Sequence, residues 1–198
     1  MRYISRSMIA FAVEVVRMYI PTEAFFFACK RAVNGNLWSV FSYCPTIFKP
    51  FIINMEKLTL RRRVRFFFEW LAGYTVYYLY FGGALAGYVV IARGGSRRYG
   101  FSSASDILAG PVFIDEAFRG RGLSTLLLRE ALKLWLGNFE NAYAYIEKTN
   151  APSLAAFRSV GFAPVHEAAV SPVLRRVSVC DGGSHFLMKL GESVSWTK

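Results

Sequence analysis

The segment FIDEAFRGRGLSTLL, residues 113–127, places two arginines and two glycines between a β-like run and a long helical run. Where a strand leads into a helix, the first main-chain N–H groups of the helix have no intrahelical acceptor. Together with the positive end of the helix dipole, these groups can hold an oxyanion. Gly120 and Gly122 lack the Cβ atoms that would keep an anion from the backbone, and Arg119 and Arg121 add positive charge. The segment therefore predicts a phosphate-binding loop.

A second segment, NAPSLAAFRSVGF at residues 150–162, has the features of a short helix. Asn150 is a favourable N-cap, Pro152 is compatible with the first turn, and Gly161 suits the left-handed residue that follows a helix. By itself this pattern predicts a helix and no chemistry.

The elements that must position these segments indicate a mixed α/β order in one domain. Glycines 82 and 83 separate two β-rich runs, which is typical of a hairpin, and leucines recur at helical spacing after the glycine loop. The predicted elements are a hairpin at residues 74–93, a strand at 106–114, a helix at 123–138, a strand at 141–148, the short helix, and two closing antiparallel strands that flank a Gly182–Gly183 turn.

The chain of 198 residues is long enough for one substantial core with an elaboration. We expect an apolar and basic helical elaboration at residues 1–55, packed on a main domain at residues 56–198 that holds both segments. Residues 7–20 are apolar on nearly all sides, which suits a buried or interface helix. Residues 60–73, LRRRVRFFFEWLAG, fit either a strand or a helix, and both alternatives stay open.

The net charge of +11 lies mainly in the first 65 residues, and its densest part is Arg61–Arg65. A solvated basic surface is the simplest interpretation. The functional alternatives are an anionic membrane surface, an acidic carrier protein or a phosphorylated substrate. No nucleic-acid recognition motif accompanies the charge, so no nucleic-acid partner is expected. Three widely spaced cysteines and two histidines predict neither a disulfide framework nor a metal site.

The N-terminus resembles a signal peptide in its early arginines and apolar centre. Glu14 and Arg17 interrupt that centre, and no small-residue cleavage site follows. Charges also interrupt the apolar runs before they reach the roughly 20 residues of a spanning helix. We therefore expect a cytoplasmic protein, with peripheral attachment at the inner membrane face as an alternative.

The two segments, in this order and separated by one helix and one strand, resemble the GCN5-related N-acetyltransferase (GNAT) family. VFIDEAFRGRGLS is similar to that family's acyl-CoA motif, in which arginine or glutamine is followed by two residues, glycine, any residue, and glycine or alanine. NAPSLAAFRSVGF is similar to the next motif, an asparagine and a helix that ends in Gly-Phe. The resemblance covers about residues 104–162. Two positions depart from it: Ser124 replaces the usual glycine or alanine, and Phe157 replaces the tyrosine that protonates the departing thiolate in many members.

The resemblance implies a mixed, mostly antiparallel sheet with a splayed central parallel pair flanked by helices, the acyl-CoA N-acyltransferase-like fold. It also implies acetyl-CoA as the acyl donor. Backbone groups at Val112, Phe113 and Ile114 would pair with the pantetheine arm, and one N–H there would polarise the thioester carbonyl. The residues around the diphosphate would be Arg119, Gly120, Arg121, Gly122, Leu123 and Ser124, and those beside the pantetheine and its sulfur would be Asn150, Ser153 and Phe157.

Acyl transfer to an amine also needs a base, because an amine with a pKa well above 7 arrives mostly protonated. Asp106 lies at the start of a strand, and alternation places Glu147 at a strand end on the same face as two tyrosines. His166 is a third candidate, because histidine is the residue type best suited to proton transfer near neutral pH. We rank the candidates Asp106, Glu147, His166. Each has a structural alternative: a turn cap, a surface ion pair and a structural histidine, respectively.

The expected function is transfer of an acetyl group from acetyl-CoA to a primary amine of a small molecule. The aromatic residues and the basic N-terminal third favour an amino sugar that carries a phosphate, as in surface-polysaccharide synthesis. One alternative is a longer acyl chain delivered by CoA or by an acyl carrier protein that docks on Arg61–Arg65. Another is a non-catalytic acyl-CoA-binding module, which would be consistent with Phe157.

Overall fold

The computed structural model describes residues 25–33, 36–46, 49–51, 59–60, 66–67, 69–71, 73–172 and 175–191. These residues form a nine-stranded sheet with the strand order β1-β2-β3-β4-β5-β6-β9-β7-β8. The strands are β1 (Phe25–Val33), β2 (Asn36–Tyr43), β3 (Tyr74–Phe81), β4 (Ala84–Arg93), β5 (Ile107–Ile114), β6 (Ala142–Glu147), β7 (Phe162–Val170), β8 (Val177–Val179) and β9 (His185–Leu190). The helices α1 (Leu123–Lys133) and α2 (Ala151–Val160) flank this sheet.

Residues 25–43 form an antiparallel hairpin that extends the sheet, because β1 pairs with β2 and β2 pairs with β3. The prediction that the first 55 residues are helical is therefore wrong for this stretch. In β2, Trp38 and Val40 are buried in one core cluster and Tyr43 in another, which is the two-residue alternation of a strand. The boundary at residue 55 stays a prediction, and the helix expected at residues 7–20 lies outside the described residues.

The ambiguous run before β3 is helical at its described positions, residues 60, 66–67 and 69–71. Phe66 packs edge-on against Phe51 with ring centroids 4.7 Å apart, so this short segment covers one face of the sheet. Of the two alternatives for this run, a strand or a helix, the described positions 60, 66–67 and 69–71 favour the helix. Arg61–Arg65 lie outside the described residues.

The predicted hairpin at residues 74–93 is confirmed as β3 and β4, and β4 pairs antiparallel with β5. The β4–β5 register shifts between Val89 and Ile91, opposite the irregularity expected at Gly110. Where β4 faces the end of β5, a Cβ atom on Gly87 would lie 2.3 Å from the carbonyl oxygen of Phe113. Only glycine therefore allows β4 to approach the end of β5 this closely.

β5 and β6 form a parallel pair that separates soon after it starts. Their register includes only Ile107 with Ala142 and Leu108 with Tyr143, although β5 continues to Ile114 and β6 to Glu147. The remaining strand pairs are antiparallel. This topology confirms the predicted fold class, a mixed, mostly antiparallel sheet with a splayed central parallel pair flanked by helices.

The two faces of the sheet differ in what covers them. On the helix face, side chains of α1 and α2 pack with Ala109, Ala144 and Ile146 in one buried core cluster. On the opposite face, Tyr143 and Tyr145 pack against a smaller cluster. The predicted alternation of β6 is therefore confirmed. Each large apolar side chain buried on the helix face contributes about 1.5–3 kcal/mol to stability, which fixes α1 and α2 on the sheet.

The C-terminal part differs from the prediction in detail. Three strands follow α2 where two were expected, and β9 lies between β6 and β7. Helix α1 ends at Lys133, before the predicted end at residue 138, and turns cover residues 134–137. Leu134 fits the predicted helical spacing but lies beyond the helix, and it is 42% exposed. Among the described residues, no helix combines the length and the apolarity that crossing a membrane requires.

Candidate active site

The start of α1 presents main-chain donors without acceptors, as the glycine loop predicts. Gly120 and Gly122 have φ values of 76° and 70°, in the left-handed region that favours glycine. No side chain caps the helix within residues 73–172, which the structure describes without a gap. The first helical hydrogen bond runs from Leu126 N to Gly122 O, 3.1 Å. The N–H groups of residues 123–125 precede it, so they have no acceptor within the helix.

The arginines of the loop have separate contacts. The Arg119 Nε donates a hydrogen bond to the carbonyl oxygen of Ile114 (3.1 Å), and its Nη1 lies 3.2 Å from the Glu116 carboxylate. The Arg121 guanidinium lies 5.8 Å from the ring centroid of Phe118. Arg119 therefore fixes the loop to the end of β5, and Arg121 leaves a positive charge at the mouth of the helix.

The last residues of β5 have one paired edge and one open edge. Val112, Phe113 and Ile114 pair with β4, but no strand pairs with their other edge in the described part of the chain. This open edge faces the gap between β5 and β6 and leads directly into the glycine loop. The structure thus brings together the residues predicted for the pantetheine arm and those predicted for the diphosphate.

The second motif closes the gap from the helix face. The Asn150 Oδ1 accepts a hydrogen bond from Ser153 N (3.2 Å), which confirms the predicted N-cap. Phe157 is buried, and its ring packs edge-on against Phe162 with centroids 5.1 Å apart. The tip of that ring, Cζ, lies 4.0 Å from the position of a Cβ on Gly110. Phe157 therefore borders the gap where it opens, without a hydroxyl to offer.

Asp106 lies at the closed end of the strand pair, away from the glycine loop. Its carboxylate accepts hydrogen bonds from Ser103 N (2.7 Å), Asn141 N (3.2 Å) and Asn141 Nδ2 (2.8 Å). Burial acts to raise the pKa of Asp106, but these hydrogen bonds outweigh it, and the pKa lies below its ordinary value. Asp106 thus holds two loops together as an ionised group, and this structural role removes it from first rank among the candidate bases.

Glu147 lies at the open end of the pair, exposed on the face opposite the helices. Its partner across the antiparallel β6–β9 ladder is His185, a residue that sequence reasoning missed. Burial lowers the pKa of His185, the Glu147 charge raises it and the Arg175 charge lowers it, and the net shift is downward. The His185 Nδ1 lies 2.9 Å from Ser184 Oγ. The imidazole is therefore mostly neutral at neutral pH and able to accept a proton.

His166 is an exposed residue of β7 and pairs with Leu187 of β9. Leu187 also pairs with Tyr145, so His166 lies two strands from β6, about 10 Å across the sheet. The structure therefore does not bring His166 to the gap. No local pattern around His185 could have indicated this site, because its position beside Glu147 results from the insertion of β9 next to β6.

A sheet with a splayed parallel pair, an open strand edge and an uncapped helix start defines the acyl-CoA N-acyltransferase-like class of folds. Residues 45–162, more than half of the chain, match the family model for the Acetyltransferase (GNAT) family. The chain belongs to this family and is an acyltransferase, which confirms the resemblance seen in its motifs.

The solved structures to which this chain is similar are distant from it in sequence. An uncharacterized protein from Bacillus halodurans has a TM-score of 0.58 at 16% identity, covering 86% of this chain and 92% of that one. Aminoglycoside acetyltransferase AAC(6')-Ib with coenzyme A has a TM-score of 0.51 at 14% identity, covering 66% and 75%. A GNAT acetyltransferase from Streptococcus pneumoniae has a TM-score of 0.44 at 17% identity, covering 59% of this chain and 66% of its own. No curated protein sequence matches the chain.

Proposed function

We propose that the protein transfers an acetyl group from acetyl-CoA to a primary amine of a small molecule. The observation that carries this proposal is the open edge of β5, which leads directly into the uncapped start of α1. A strand edge suits the amides of a pantetheine arm, and outward N–H groups at a helix start suit a diphosphate. The amine nitrogen then attacks the thioester carbonyl, and the carbon–sulfur bond breaks to release the thiol.

The coenzyme would contact two parts of the site. Backbone groups of Val112–Ile114 would bond the pantetheine, and the donors of residues 120–124 would surround the diphosphate, with Arg121 adding charge. Ser153 N donates to one lone pair of the Asn150 Oδ1, so the Nδ2 group and the second lone pair of Asn150 are available to the pantetheine.

We assign the base to His185, with Glu147 beside it. An imidazole whose pKa is lowered by burial is neutral at neutral pH, so it can take a proton from an ammonium group. The negative charge of Glu147 stabilises the imidazolium that results. Glu147, a candidate base in the sequence analysis, is here proposed as the partner of the base instead.

The proposed acceptor is an amino sugar, as in surface-polysaccharide synthesis, and the proposed location is the cytoplasm. Support comes from the opposite face of the gap, where half-buried aromatic rings suited to stacking on a sugar lie close together, such as Tyr145 beside His185 with centroids 6.1 Å apart. The aminoglycoside acetyltransferase of similar fold is named for an amino-sugar substrate. A phosphate on the acceptor would suit the positive charge of the chain.

A second candidate is a longer acyl chain, carried by CoA or by an acidic carrier protein that docks on Arg61–Arg65. Only the density of basic residues in the sequence favours this docking and the alternative of peripheral attachment to an anionic membrane. Thermal shifts with acetyl-CoA and longer acyl-CoAs would separate the donors. Sedimentation with anionic liposomes at low and high salt would test the membrane alternative.

Thiol release from acetyl-CoA, measured against amines, amino sugars and nucleotide-linked amino sugars, tests the proposed function. We expect release above the rate of hydrolysis with at least one amino sugar. If no amine in the panel raises thiol release above the rate of hydrolysis, the proposed acceptor class is rejected. Faster release from long-chain acyl-CoA than from acetyl-CoA would favour the second candidate.

A further inference from the structure

A buried polar cluster lies on the face of the sheet opposite α1 and α2, and the proposed coenzyme contacts do not use it. The Arg98 Nη1 lies 2.6 Å from the Glu69 carboxylate, and the Arg98 Nη2 donates a hydrogen bond to the Tyr145 hydroxyl at 2.8 Å. The side chains of Arg98 and Glu69 are only 12% and 5% exposed. Taking an ion pair out of water carries a desolvation penalty that its mutual attraction often fails to offset. A contribution to stability therefore does not by itself account for the cluster.

The position of Tyr145 connects this cluster to the gap. The parallel register pairs Ile107 with Ala142 and Leu108 with Tyr143, so its continuation places Gly110 opposite Tyr145, where the strands have separated. The tip of the Phe157 ring lies against Gly110 from the helix face. Tyr145 and Phe157 thus border the same part of the gap from its two faces, and of the two only Tyr145 has a hydroxyl.

The hydrogen bonds leave the Tyr145 hydroxyl able to move a proton. A guanidinium has donors and no acceptor, so Arg98 occupies one lone pair of the phenol oxygen. The hydrogen of the hydroxyl cannot point to Arg98 and is available to another acceptor. The second lone pair can accept a hydrogen at the same time. The ion pair with Glu69 holds Arg98 in place, and through Arg98 it holds the phenol.

We propose that the Tyr145 hydroxyl carries the proton from the attacking amine to the departing sulfur, in place of the hydroxyl that Phe157 lacks. This inference rests on the proposed acetyl transfer. As the N–C bond forms and the C–S bond breaks, the nitrogen passes a proton to the phenol oxygen and the phenol passes its own proton to the thiolate. The phenol ends unchanged, and the products are the amide and the free thiol. Arg98 acts as a positioning residue.

The test is Tyr145→Phe, assayed by single-turnover acetyl transfer with the best acceptor from the panel. We expect kcat to fall about 10²-fold, the low end for loss of a positioned proton-transfer group, with the Kd for CoA unchanged. Tyr143→Phe is the matched control, since Tyr143 lies on the same face of the same strand but at the closed end. It should keep kcat within about threefold.

Adding Phe157→Tyr to Tyr145→Phe provides the rescue. A hydroxyl returned from the helix face should restore kcat at least about tenfold, because either position can then protonate the sulfur. A purely structural Tyr145 would not respond to a hydroxyl at residue 157. Arg98→Lys should lower kcat without changing the Kd for CoA, because lysine cannot hold Glu69 and Tyr145 at once.

Equal kcat for Tyr145→Phe and the wild type would overturn this inference and leave acetyl transfer intact, whereas an inactive wild type would reject the proposed function itself. If Tyr145→Phe does not fold, fluorotyrosine placed at residue 145 gives the same decision. Fluorine makes a phenol a stronger proton donor, so single-turnover acetyl transfer should show a rate profile different from that of the wild type. The titratable and charged groups around this ring are Arg98, Glu69, Tyr99, His185 and Glu147. An unchanged rate profile would contradict the inference.

Discussion

Where β5 and β6 begin, the Asp106 carboxylate takes up three N–H donors from two loops. Where the same pair opens, the first N–H groups of α1 have no acceptor among the residues that the structure describes, and Gly120 and Gly122 keep side chains away from them. Main-chain N–H groups therefore stabilise the fold at the closed end, and at the open end they are available to bind a ligand. The difference teaches that residues at the closed end should affect stability, and residues at the open end should affect binding and catalysis.

The largest expected effect is at the open end, for His185→Gln. Loss of the proposed base should lower kcat/KM by about 10²–10⁴-fold, the usual contribution of a positioned acid or base. The melting temperature should change little, because the half-buried ring is replaced by a side chain of similar size. Steady-state kinetics and thermal unfolding on one preparation check both statements. An active His185→Gln would return the base assignment to Glu147.

Replacing both Gly120 and Gly122 with valine should weaken CoA binding by about 100-fold or more. Each valine at a positive φ costs about 1–2 kcal/mol of backbone strain and places methyl groups where the diphosphate would approach. Gly137→Val is the control, because Gly137 has a φ of 83° and open space around it but lies beyond the other end of α1. Equal losses of CoA affinity in the double variant and in this control would contradict a special role for the loop.

At the closed end, Asp106→Ala should lower the free energy of unfolding by about 3 kcal/mol, because buried N–H donors lose a charged acceptor. The Kd for CoA should stay within about threefold. The stabilisation by Asp106 is fully present above the unfolded pKa of about 3.8, and it is lost as pH falls through the lower folded pKa. Denaturant unfolding against pH checks this. A loss of kcat without loss of stability would instead support Asp106 as a base.

The smallest effect is expected for Glu147→Gln, a change that moves the pH optimum without abolishing activity. The charge of Glu147 raises the pKa of His185, so its removal should lower that pKa further below 6.5. The acid limb of the kcat/KM profile should therefore move to lower pH. An acid limb that disappears altogether would make Glu147 the base. The pH–rate profiles of the wild type and the variant decide between the two.

The parts of the site that depend on local rules were predictable from the sequence. The glycines before a helical run, the N-cap at Asn150 and the hairpin around Gly82 follow from short-range backbone preferences, and the structure has all three. Periodicity in β6 likewise predicted which side chains face the helices. The family motif added the splayed pair that connects these elements.

The parts that depend on long-range pairing could not be predicted. Nothing near His185 in the sequence indicates that β9 lies beside β6, and nothing near Asp106 indicates that Asn141 will donate to it. The hairpin of β1 and β2 was missed because Phe25–Val33 and Asn36–Tyr43 mix apolar with polar residues in no clear two-residue alternation, so their pattern favours neither a strand nor a helix. Strand order and register decide these cases, and a single sequence does not contain that information locally.

Calorimetric titration with CoA and with pantetheine, which shares the arm but lacks the diphosphate, tests the central claim most directly. Charge-assisted hydrogen bonds contribute about 1.5–3 kcal/mol each, and every 1.4 kcal/mol is tenfold in affinity. We therefore predict that CoA binds at least about 100-fold more tightly than pantetheine. Equal affinity for the two compounds, or no binding of CoA, would contradict the account of a diphosphate held at the start of α1.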